Sequence, residues 1–121
     1  MKRTLLSAVI ALSALVIAGP APATSKVSRV TVYGTVGPGA TIILKNKAGK
    51  RITTLKAGLY SFRINDRSKK DDFHLTGSTV NLHTPVKQTQ TASWALTMKK
   101  GTYRYYSDAH PKTLKGSFKV T

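Results

Sequence analysis

Leu55-Lys56-Ala57-Gly58-Leu59-Tyr60-Ser61-Phe62 and Met98-Lys99-Lys100-Gly101-Thr102-Tyr103-Arg104-Tyr105 carry one pattern twice. Each is an apolar residue, a lysine, a glycine-containing turn and an aromatic-x-aromatic strand. Strand side chains alternate with period two, so Tyr60, Phe62 and Ile64 share one face, and Tyr103, Tyr105 and Ser107 share another. Two copies are too few for a repeat architecture. The pattern predicts two similar hairpins placed in two facing sheets.

Outward from these segments the chain reads as short alternating stretches punctuated by Gly and Pro, with no sustained helical periodicity. Val30 and Val32 alternate with Arg29 and Thr31 before the break at Gly37-Pro38-Gly39. Thr41 to Leu44 reads as a buried strand, and Lys45 to Arg51 as a solvated hairpin turn leading into Ile52 to Leu55. Phe73 pairs in phase with Leu75, Val80 with Leu82, and Trp94 with Leu96 and Met98, while Phe118 and Val120 close the chain. The charge-dense Asn65 to Asp72 reads as a loop. Seven or eight strands are expected, and the natural architecture is an all-β sandwich.

Residues 1–23 read as an address rather than as part of the fold. Lys2 and Arg3 precede an apolar run from Leu5 to Ala18, and Ala21-Pro22-Ala23 is a small-x-small cleavage site. That order is the secretory pattern, and the run is shorter than the roughly 20 residues a membrane-spanning helix needs. Export with cleavage after Ala23 is expected, leaving one domain over 24–121. There is no cysteine, so no disulfide framework is available in an oxidising compartment.

Three stretches resemble the small bacterial plastocyanin-like, or cupredoxin, domains. They are Ala57-Gly58-Leu59-Tyr60-Ser61-Phe62-Arg63-Ile64-Asn65-Asp66, Phe73-His74-Leu75-Thr76-Gly77, and Gly101 to Tyr105 continuing through Ser107-Asp108-Ala109-His110 to Lys115-Gly116-Ser117-Phe118. The resemblance covers nearly the whole chain after residue 23 and implies a cupredoxin-like Greek-key β-sandwich. It also implies where copper would sit: one upstream His, then a Cys-x-x-His-x-x-x-Met loop between the last two strands. Two imidazoles, a thiolate and a weak axial thioether make the trigonal blue-copper site.

At the matching positions this chain has Asp71, Ser107, His110 and Leu114. Only His110 is retained, and a neutral serine hydroxyl does not replace a thiolate as a soft donor. The resemblance therefore implies a degenerate copper site and no copper cofactor. Asp71, Asp108 and His110 remain as a conceivable Cu(II) or Zn(II) donor set, and a metal-handling or electron-transfer role centred on His110 is the competing reading. Against that, His110 reads more simply as a loop residue bonded to a neighbour. His74 and His83 read as solvated surface histidines.

Nothing signals an enzyme. The four carboxylates form no acid/base pair at a motif spacing, no serine sits in a nucleophile elbow, and Gly34 to Gly39 lacks the following helix of a phosphate cradle. The formal charge is +16 over the full chain. Without Lys2 and Arg3, 18 basic residues face only Asp66, Asp71, Asp72 and Asp108, a charge of +14. Such an excess points to an anionic extracellular partner: a cell-wall polymer, an acidic polysaccharide or, by peripheral membrane contact, lipid headgroups. Candidate contacts are Lys45, Lys47, Lys50, Arg51, Arg67, Lys69 and Lys70. Export argues against nucleic acid as a physiological partner, and a monomer is expected.

Overall fold

The computed structural model describes residues 28–121. The expected signal segment and its cleavage point lie outside them. Nine strands and no helix occur among the described residues. They are β1 (Val30–Val36), β2 (Ile42–Lys45), β3 (Thr54–Leu55), β4 (Gly58–Asp66), β5 (His74–Thr76), β6 (Asn81–His83), β7 (Gln90–Met98), β8 (Gly101–Tyr106) and β9 (Lys115–Val120). One sheet has the order β2-β1-β4-β7 and the other β3-β9-β8-β5-β6. Each is mixed: β1 runs parallel to β4, and β3 parallel to β9. The sandwich expected from alternation is present.

Its core follows from that alternation. Tyr60, Phe62 and Ile64 of β4 are buried, as are Tyr103 and Tyr105 of β8 and Phe118 and Val120 of β9. Tyr103 stacks on Phe118 with ring centroids 5.4 Å apart, and Tyr105 on Phe73 at 5.3 Å. Offset or parallel aromatic pairs of this kind add about 0.5–1.5 kcal/mol beyond their buried area. Gly77 makes room for the Tyr103 ring, since a Cβ there would lie 2.0 Å from a ring carbon. Val30, in phase with the buried Val32, is 61% exposed at the sheet margin.

The two repeated segments are not hairpins. β3 and β4 belong to different sheets, and so do β7 and β8, so both segments are corners where the chain crosses the sandwich. The resemblance between them is nonetheless physical. The Tyr60 hydroxyl donates to the Lys56 carbonyl at 2.7 Å, and the Tyr103 hydroxyl to the Lys99 carbonyl at 2.9 Å. Gly58 and Gly101 turn the two corners with φ of 152° and 147°, a region open almost only to glycine. A periodic pattern specifies strand and face but not partner, which is why a corner reads as a hairpin in sequence.

The other pole carries the chemistry. Val36, Asp66 and Gln90 end the four-stranded sheet there, and Tyr106, His74, His83 and Lys115 end the five-stranded one. β4 continues to Asp66, so the loop read as Asn65 to Asp72 begins only at Arg67. Arg67 N–H extends the pairing by donating to Val36 O at 2.8 Å.

Candidate functional site

All four acidic residues of the chain lie at this pole. Asp66 ends β4, Asp71 and Asp72 precede β5, and Asp108 follows β8. Ser68 shapes the first loop: its hydroxyl accepts the backbone N–H groups of Lys70 and Asp71, and its own N–H donates to Asp66 Oδ1. This is the local side-chain-to-backbone bonding that makes Ser and Asp turn residues. Thr84 donates to Asp66 Oδ2 at 2.7 Å while accepting Phe73 N–H at 2.9 Å, which ties the two sheets together. Burial pushes the Asp66 carboxyl up, and although these hydrogen bonds oppose it, the pKa stays above its ordinary value.

Asp71, Ser107, His110 and Leu114 come together. Asp71 Oδ1 accepts the Ser107 hydroxyl at 2.7 Å and the His110 ring at 2.6 Å. A carboxylate only accepts, so His110 Nδ1 carries the proton in this contact. Ser107 Oγ in turn accepts the N–H groups of Ala109 and His110, and Leu114 is buried with its N–H on the His110 carbonyl. Burial raises Asp71, but the bonds from His110 and Ser107 outweigh it and hold the carboxyl below its ordinary value.

That arrangement does not suit type 1 copper. The donors are one carboxylate, one hydroxyl and one imidazole whose inward nitrogen is already hydrogen-bonded; Leu114 offers no donor and no thiolate is present. It does not suit nucleophilic catalysis either. An activated serine needs a base on its hydroxyl, whereas here the Ser107 proton and the His110 proton point at the same Asp71 oxygen.

Asp108 does not join Asp71 and His110 as the sequence reading allowed. It turns to the five-stranded sheet, where both its carboxylate oxygens lie 2.9 Å from His74 Nδ1. His74 is half-buried rather than a solvated surface residue. Its Nε2 bonds Asn81 Oδ1, and its ring packs 4.9 Å from Tyr106 and 5.3 Å from the exposed His83. Burial lowers the His74 pKa, but the bonds to Asn81 and Asp108 raise it further than burial depresses it. Asp72 is fully buried: Oδ1 accepts the Asp108 N–H, and Oδ2 has no partner. Burial, then the neighbouring Asp108 carboxyl, pushes Asp72 from 3.8 up to about 6. Asp108, also raised by burial but bonded to Asp72 and His74, ends below its ordinary value. Of the two neighbouring carboxyls, Asp72 is thus the one that ionises less readily.

This second cluster was missed in sequence. Antiparallel pairing of β5 with β8, carried two residues past His74 and Tyr106, sets Asp72 opposite Asp108.

The basic candidates fall into two separate groups. Arg67, Lys69 and Lys70 rim a cleft of about 460 Å³ at the site pole, shared with Asp71 and His110. β2 runs away from that pole, with Ile42 opposite Val36 and Lys45 opposite Tyr33. The turn bearing Lys47 and Lys50 therefore lies roughly 10 Å or more back along the sandwich. Arg51 closes that turn opposite Lys45 and donates to the Tyr105 hydroxyl. A third basic group was not singled out in sequence. Arg104, Lys115 and Lys119 all face outward on the five-stranded sheet. Arg104 pairs with Ser117 and Thr76, and the two lysines lie diagonal to it, about 7–8 Å away.

No protein-family model matches the sequence, and neither does any curated protein. Solved structures do match in fold. Reduced rusticyanin is 14% identical, covering 80% of this chain and 82% of its own, with a TM-score of 0.57. Rusticyanin from Thiobacillus ferrooxidans is 18% identical over 79% of each chain, with a TM-score of 0.52. Auracyanin A, a "blue" copper protein from Chloroflexus aurantiacus, is 17% identical over 78% of this chain and 100% of its own, with a TM-score of 0.52. The fold of this chain is cupredoxin-like.

Proposed function

We propose that this chain is an exported, non-catalytic module that attaches to an anionic polymer of the cell envelope through an uncompensated basic surface, without type 1 copper. One observation carries the reading. Both ion pairs among the described residues join a histidine to an aspartate, and no described lysine or arginine is paired with a carboxylate. The few acidic groups are gathered at one pole and bonded to one another's neighbours, so the cationic charge is left facing solvent. Solubility needs a net charge of about 2–8 on a small domain, and the excess here goes well beyond that.

The outer face of the five-stranded sheet is the best-organised contact. Arg104, Lys115 and Lys119 are clustered there beside the hydroxyls of Thr76 and Ser117, which suits sulfate, phosphate or carboxylate groups repeated along a chain. Arg67, Lys69 and Lys70 at the pole and the Lys45, Lys47 and Lys50 turn add long-range attraction. A metal centre built on His110 is less well supported, because the polar groups of Asp71, Ser107 and His110 satisfy one another and no buried side-chain atom there is left without a partner.

Retention on immobilised dextran sulfate across a salt gradient tests the reading. Elution within a few tenths molar salt is expected, with an earlier shift for Arg104→Ala/Lys115→Ala/Lys119→Ala than for Lys45→Ala/Lys47→Ala/Lys50→Ala. Binding to isolated envelope that is unchanged in molar salt would refute an electrostatic attachment.

A further inference from the structure

Asp72, His74 and Asp108 each bring one donor atom to within 4.8 Å of the others. The fold delivers them from three places: the loop before β5, the first residue of β5, and the loop after β8. Pairing of His74 with Tyr106 fixes the two strand ends side by side and sets the imidazole next to Asp108.

Two features independent of that proximity point to a bound cation. Asp72 has no exposed surface, and its Oδ2 has no hydrogen-bond partner. A buried carboxylate oxygen left unsatisfied is costly, and native structures rarely keep one without a reason. The second feature is the orientation of His74. Nε2–H donates to Asn81 Oδ1, which fixes the ring and turns Nδ1 towards the carboxyl groups; in the metal-free protein Nδ1 also carries a proton bonded to Asp108, which an ion would displace. Histidine ligands to metals are typically held by such a bond on the second ring nitrogen.

We propose that Asp72, His74 and Asp108 form a site for one divalent transition-metal ion, best matched to Zn(II). Carboxylate oxygen and imidazole nitrogen are both zinc donors, and three protein ligands leave a fourth position for water. The two carboxylates cancel the ion's charge, which matters in a protein whose remaining surface is strongly cationic. Asp108, 41% exposed in its side chain, leaves that fourth position open to solvent. The site is distinct from Asp71, Ser107 and His110, and it does not depend on attachment to a polymer.

Calorimetric titration of the EDTA-stripped, purified protein with ZnCl2 tests the site, with the His74 ring resonances followed by NMR. One equivalent is expected to bind and to shift those resonances. Asn81→Ala, which frees the imidazole without removing a ligand, is expected to weaken binding by about 10- to 100-fold. Asp108→Asn, at an exposed position that leaves the fold intact, is expected to abolish one-to-one binding, while His110→Ala leaves it unchanged. Absence of saturable binding, survival of full affinity in Asp108→Asn, or loss of binding in His110→Ala would each overturn the proposal.

Discussion

Replacing Asp72 with asparagine in the metal-free protein is expected to stabilise it, and by an amount that depends on pH. Asparagine has the same shape, keeps an oxygen to accept the Asp108 N–H, and places an amide donor where Oδ2 now has no partner. The aspartate pKa moves from 3.8 to about 6 on folding, chiefly by burial. A carboxyl whose folded pKa is raised contributes its stability below pH 3.8 and loses it as pH rises through about 6. At about 1.36 kcal/mol per pH unit of difference, the withheld stability approaches 3 kcal/mol above pH 6. Asparagine does not ionise and escapes that loss.

Asp108 and His74 share the same protons, so part of this gain is returned when their own pairing adjusts. A net gain of about 1–3 kcal/mol at pH 7.5 is expected, falling to a small one near pH 4. For a domain of this size, each kcal/mol corresponds to roughly 4–8 °C in Tm. Urea denaturation of both proteins in EDTA at the two pH values measures it. An Asp72→Asn protein less stable than the parent at pH 7.5 would refute the reasoning. An equal gain at both pH values would refute it too, because the effect would then owe nothing to ionisation.

Three further outcomes are expected. His110→Ala removes the imidazole that bonds Asp71. Because the imidazole is 54% exposed and screened by solvent, the cost in chemical denaturation is only about 1 kcal/mol. The Asp71 carboxyl, held below 3.8, contributes stability above that pH and loses it as pH falls further; the variant should show a weaker loss on acidification. Ser107→Cys alone should give no intense visible band with Cu(II), whereas Asp71→His/Ser107→Cys/Leu114→Met should, since the four positions already converge. Tyr60→Phe and Tyr103→Phe should each cost about 1 kcal/mol by loss of the corner hydrogen bond, while Gly77→Ala, which collides with the Tyr103 ring, should cost more in thermal melts.

Much of this structure was legible because strand alternation is a local property. Tyr60, Phe62, Ile64, Tyr103, Tyr105, Phe73 and Leu75 were assigned inward from period two alone, and all are buried. What alternation does not encode is which sheet a strand joins. The two aromatic segments therefore read as hairpins, although each crosses from one sheet to the other. For the same reason the basic clusters were picked from loops, where lysines run together in sequence. Arg104, Lys115 and Lys119 are scattered along the chain and gather only when β8 pairs with β9.

The pole holds two polar clusters of opposite balance. Asp71, Ser107 and His110 sit where the resemblance placed copper ligands, and their polar groups satisfy one another. A hydrogen-bonded triad holding the loop after β8 against the loop before β5 can stand in for the cross-link that a metal would provide. One residue further along both segments the balance is opposite. Asp72 keeps an unsatisfied buried oxygen beside His74 and Asp108, although asparagine would fit and remove the penalty. A destabilising group of that kind at a pole formed by converging loops is where function is exchanged for stability. The stability gained by Asp72→Asn and the Zn(II) affinity lost with it are thus two measurements of one trade, and they should move together.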